Sequence, residues 1–159
     1  MNSRTALAVA AAMLAAPMVF AQANPRGEAK VKLAGKDVSV EYGRPSLKGR
    51  DMLGQASVGM TWRLGADGAT TLKTAADLSF GGKEVAAGEY VLKAKKVAAT
   101  QWHLLVTTDD TTVAEVPLAA SELSESVEMF TIDLSGNDSA GRFELKWGET
   151  ALGADFSAQ

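Results

Sequence analysis

From residue 29 onward, apolar and polar side chains alternate with a period of two. In 29–33, Val31 and Leu33 face one way and Lys30 and Lys32 the other. Ala34-Gly35-Lys36 turns the chain, and 37–42 then sets Val38, Val40 and Tyr42 inward, Ser39 and Glu41 outward. Alternation on both sides of a short glycine turn predicts a hairpin. A second hairpin is expected where 78–80 and 83–85 flank Gly81-Gly82. Short strands are predicted at 61–64 and 70–74, around Gly65-Ala66-Asp67-Gly68. Further strands are predicted at 89–94, 101–107, 113–116, 127–134, 142–147 and 151–156. Helical signal is weak. The best window, 119–127, has sparse apolar positions and three serines, and 50–54 suits a single turn. Roughly ten strands at about 8–12-residue spacing, joined by connections too short for helical crossovers, predict an all-β fold: a single antiparallel β-sandwich, jelly-roll or immunoglobulin-like.

The start of the chain reads differently. Arg4 is the only charge before Arg26, residues 5–20 are apolar, and Ala21-Gln22-Ala23 follows. A positive start, an apolar core and a small-x-small ending predict a signal peptide at 1–23 and a mature domain at 24–159, exported to the periplasm or secreted. The apolar run is Ala-rich and broken by Pro17. It falls short of the roughly 20 residues a spanning helix needs, so no stable membrane insertion is expected after cleavage.

Removal of 23 of the 159 residues leaves 136, with 15 basic groups against 19 acidic ones and a net charge of −4. An acidic chain without blocks of like charge is not expected to bind nucleic acid. Cysteine is absent, which excludes disulfides, thiolate metal sites and a cysteine nucleophile. One histidine, His103, is too few for a transition-metal centre. It reads as a strand-face residue, so no metal and no cofactor are expected. Asp109-Asp110 and Asn137-Asp138 are acidic pairs without the spacing of a calcium loop, and turns favour these residues anyway. Trp62, Trp102 and Trp147 lie in predicted strands, where core packing is the first expectation and an exposed sugar platform the sharper one.

Residues 43–59, GRPSLKGRDMLGQASVG, break the strand rhythm. Connections of this length are usually functional or disordered. Leu47, Met52, Leu53 and Val58 supply apolar anchors for an ordered loop. The loop concentrates Arg44, Lys48 and Arg50, and Arg63 follows on the next strand. Arginine suits bidentate capture of carboxylate or phosphate. Tyr42, Arg44, Arg50, Arg63 and Asp67 are therefore the expected ligand-binding residues, gathered at one rim. The competing expectation is that these cations pair with Glu41, Asp51 and Asp67 and merely pin the loop. Two functions stay open. One is a non-catalytic module binding a small anionic or saccharide ligand, or an envelope protein. The other is a metal-independent enzyme using Asp51 or Asp67 as acid/base and Arg44, Arg50 and Arg63 as anion stabilisers.

Residues 40–73 (VEYGRPSLKGRDMLGQASVGMTWRLGADGATTLK) resemble an exported bacterial family, domain of unknown function 2911. Leu78-Ser79-Phe80-Gly81-Gly82, Ala87-Gly88-Glu89-Tyr90, Val127-Glu128-Met129-Phe130-Thr131 and Leu145-Lys146-Trp147-Gly148 extend the likeness over the mature chain. The resemblance implies an exported all-β domain and no particular activity. It also exposes a departure. After Thr107, relatives tend to carry a longer loop with Gly, Trp and Tyr, where this chain has only Asp109-Asp110-Thr111-Thr112.

Overall fold

Both expected hairpins form. In the computed structural model, which describes residues 23–159, β1 (Arg26–Leu33) pairs with β2 (Lys36–Gly43), Ala29 opposite Val40 and Val31 opposite Val38. Ala34 and Gly35 make the turn, both at positive φ, 50° and 74°. This geometry matches the right-handed twist of the flanking strands. Leu33, Val38 and Val40 are fully buried, as the alternation requires. The expected signal peptide lies outside the described residues, except for Ala23.

The other elements are α1 (Met52–Gln55), β3 (Thr61–Trp62), β4 (Thr70–Thr74), β5 (Leu78–Phe80), β6 (Lys83–Val85), β7 (Gly88–Ala98), β8 (Gln101–Thr108), β9 (Thr111–Asn137) and β10 (Ala140–Ala158). The strands pair antiparallel in the order β1-β2-β4-β7-β8-β9-β10-β5-β6, with β3 attached to β7. The fold is the expected all-β, antiparallel one, in a single sheet not closed into a barrel. β9 makes the difference between one sheet and two. Its first part, to Leu118, pairs with β8, and the remainder pairs with β10. Among the described residues no helix is long and apolar enough to cross a membrane.

Two expectations about elements need correction. Residues 119–127, the best helical window, are strand: Ala119, Ala120, Ser121 and Glu122 pair with Gly153, Leu152, Ala151 and Thr150. The window has no apolar stripe to bury, whereas the ladder to β10 satisfies its backbone groups. It therefore fuses the predicted strands at 113–116 and 127–134 into one, just as 142–147 and 151–156 fuse into β10 through irregularities around Gly148. The strand predicted at 61–64 stops at Trp62, because Leu64 takes a left-handed φ of 60° and Gly65 follows at 150°.

Both ends of the sheet contribute to one core. Val38, Leu72 and Leu104 share a boundary with Leu78, Phe143 and Phe156. Next to the long loop the core becomes aromatic. Trp62 stacks on Trp147 at 5.5 Å and 13° and meets Phe130 edge-on at 5.0 Å. Tyr42 meets Phe130 edge-on at 5.6 Å. Trp102 and Trp147 are buried and Trp62 is half-buried, so the indoles pack the core as expected.

Candidate functional site

The long loop first docks on β9. Phe130 N donates to Pro45 O at 2.9 Å, Leu47 N donates to Glu128 O at 3.0 Å, and Ser46 bridges to Met129. Pro45 disfavours helical backbone at Arg44 and keeps the chain extended for this pairing. Arg44 reinforces the join: its Nε donates to Phe130 O at 3.1 Å and its Nη2 to Thr131 Oγ1 at 3.0 Å. Tyr42 is 3% exposed and its hydroxyl donates to Ile132 O at 3.3 Å. Both side chains thus tie β2 to β9.

Beyond Leu47 the chain turns through Lys48 and Gly49, at φ 52° and 77°. Arg50 is exposed and its Nε returns to Leu47 O at 3.2 Å. Asp51 caps α1, its Oδ1 accepting from Gly54 N at 2.9 Å, the usual role of a carboxylate at that position. The sequence reading passed over the residue that holds the other end. Lys96, on β7, is 3% exposed, and its Nζ donates to Leu53 O at 3.0 Å, Ala56 O at 2.9 Å and Gly54 O at 3.3 Å. The Trp102 ring lies 5.7 Å from the same ammonium. Three carbonyls and an aromatic face replace the water a buried cation gives up. A lysine on the inward face of an alternating strand was the available signal.

The turn after β3 holds the remaining two expected residues. Arg63 Nη1 donates to Asp67 O at 2.7 Å, and Asp67 Oδ2 accepts from Asn24 N at 2.7 Å. Thr70 Oγ1 donates to Leu64 O at 2.6 Å inside the turn. The turn presses on the end of β2 so closely that a Cβ on Gly43 would lie 2.0 Å from Ala66 O. The structure therefore brings the Arg63–Asp67 turn to the base of the Arg44 loop. The guanidiniums of Arg44, Arg50 and Arg63 all bond backbone carbonyls rather than Glu41, Asp51 or Asp67. Arg44 thus pins the loop to β9, while Arg50 and Arg63 each close a local turn, by charge-assisted bonds to carbonyls instead of ion pairs.

Two open depressions, each of about 410 Å³, flank α1. One is bordered by Trp102, Glu122 and Leu152, the other by Arg50, Asp51 and Glu128, and both by Glu149 and Thr150. Their linings hold four carboxylates, those of Asp51, Glu122, Glu128 and Glu149, and one guanidinium, that of Arg50. Of the five expected site residues, Arg50 lines this groove. Elsewhere, His103 lies 2.8 Å from Glu115 across the β8–β9 ladder, and this hydrogen bond holds the Glu115 carboxyl below the usual carboxylate range. Asp109 and Asp110, both at positive φ, form the two-residue turn between β8 and β9. Among the described residues no three acidic or imidazole side chains gather as metal ligands.

The family model described as Protein of unknown function (DUF2911) matches residues 24–156. The chain belongs to that family. DUF2911 membership covers the whole of the sheet apart from the last residues of β10, and it carries no named activity. Comparisons with curated proteins and with solved structures find no match.

Proposed function

We propose that this DUF2911 protein is an exported, non-catalytic binding module whose ligand sits in the groove flanking α1. The observation that carries the reading is the pair of depressions meeting at Glu149 and Thr150, walled on one side by a loop that Arg44, Asp51 and Lys96 hold in place. A rigid wall beside an open concavity is how loops present binding groups. A lining with four carboxylates and one guanidinium disfavours an anion, so of the ligands open at the outset the saccharide is favoured. Carboxylates accept sugar hydroxyls and a guanidinium donates to them. The acid/base alternative draws no support, since Asp51 is engaged as a helix cap and Asp67 as the acceptor of Asn24 N. Export is supported by the leader-like pattern of residues 1–23 and by a family match that starts at Asn24.

The test is a thermal-shift panel of neutral and charged oligosaccharides against wild type, Arg50→Ala and Glu149→Gln. A saccharide present at about 100 times its Kd should raise the wild-type Tm by several degrees, and each variant should lose most of that shift, measured against its own ligand-free melt. A panel in which small anions shift the melt and saccharides do not would overturn the ligand assignment.

A further inference from the structure

Asp67 has a partner whose chemical nature would change on cleavage after Ala23. Its Oδ2 lies 2.7 Å from the backbone nitrogen of Asn24, the residue that follows the expected cleavage point. We propose that Asp67 is the seat of the mature N-terminus. Hydrolysis of the Ala23–Asn24 bond by a signal peptidase consumes one water. It leaves a carboxylate on Ala23 and an amine on Asn24, and that amine takes up a proton at neutral pH. The amide–carboxylate hydrogen bond thereby becomes an ammonium–carboxylate pair at the same place.

Further features suit this role. Asn24 is half-buried while Ala23 is exposed, so the scissile bond straddles the edge of the fold. The residues behind it are anchored: Arg44 N donates to Pro25 O at 2.8 Å, and Arg26 Nη2 donates to Ala69 O at 3.3 Å. Pro25 also restricts its own φ, which limits the directions the new terminus can take. Finally, two guanidiniums already face this turn, those of Arg26 and Arg63, both engaged with its carbonyls. A third cation placed there needs a carboxylate, and Asp67 supplies it. The left-handed backbone at Asp67, φ 63°, is a conformation that Asp tolerates better than most residues.

The proposal rests on the export reading, and one experiment separates the two. The full chain is expressed in an exporting bacterial host, and the exported fraction is sequenced from its N-terminus. The α-amine of that protein is then acylated at pH 7, and its rate is followed by peptide mass spectrometry. A carboxylate partner favours the protonated, unreactive amine. Asp67→Asn should therefore speed acylation of Asn24 about 3–10-fold, a change corresponding to half to one pKa unit, with lysine rates unchanged. Raising the salt to about 1 M should move wild type toward the variant, because an exposed pair is screened. Asp67→Ser is the second variant, and circular dichroism confirms that both fold. A terminus other than Asn24 would overturn both the cleavage point and the seat. An Asn24 terminus that reacts equally fast in wild type and both variants would overturn the seat alone.

Discussion

Arginine 44 and arginine 63 have the same side chain and differ in what surrounds it. Arg44 is half-buried and makes two charge-assisted bonds to β9, one of them to a carbonyl within the sheet. Arg63 is exposed and makes one bond within its own turn. Hydrogen bonds to charged groups contribute about 1.5–3 kcal/mol, and a group left without its partner in a buried setting is costly. Arg44→Ala is therefore expected to lose about 2–3 kcal/mol in urea unfolding. Arg63→Ala is expected to lose less than about 1 kcal/mol, because water replaces the lost bond. Arg44→Lys should recover little, since an ammonium cannot reproduce the fork that spans Phe130 O and Thr131 Oγ1. Equal losses for both alanine variants would show that Arg44 is no more structural than Arg63.

At the scale of elements, α1 is a single turn and cannot persist by its own propensity. It is held from both ends, by Asp51 at its start and by Lys96 behind its last carbonyls. The lysine stem crosses apolar space that a methionine would fill, so Lys96→Met removes the charge and keeps the volume. The variant is expected to cost about 1–3 kcal/mol. More specifically, the Gln55 amide, which bonds Asp51 O at 3.1 Å, should exchange with solvent at least about tenfold faster. Unchanged exchange would show that α1 is seated by Leu53 packing alone. β9 makes a related point about strands. Its middle, exposed and serine-containing, is a strand because β10 lies beside it and not because of its own composition.

For the molecule as a whole, the last strand completes the sheet. β10 pairs with β9 along most of its length and also carries β5, through Ser157 and Ala158 opposite Ser79 and Leu78. It brings Phe143, Leu145, Trp147, Leu152 and Phe156 into the core. A chain ending at Ser139 should therefore show no cooperative thermal transition by near-ultraviolet circular dichroism. The intact chain should fold on the slow scale of β proteins, about milliseconds to seconds, because its strand pairings are distant in sequence. A cooperative melt from the shortened chain would place the stability in β1–β9.

Period-two alternation was enough to place β1 and β2 in the sequence, because each has one face buried and one more exposed, and turn glycines marked β4, β5 and β6. The same rule located Tyr42 on the inward face, and the size of the indoles marked them for core packing. The density of cations in 43–59 marked the loop as the feature to explain. What those cations do was not legible, since a guanidinium bonds whatever acceptor the fold presents, and here Phe130 O and Leu47 O were nearer than any carboxylate. Lys96 escaped notice for the converse reason: its partners are backbone carbonyls of a distant turn, and carbonyls leave no mark in a sequence. Local pattern determines which face of a strand is buried. Which strand lies next to which, and hence where each charge finds its partner and where the groove opens, is decided by contacts between residues far apart in the chain.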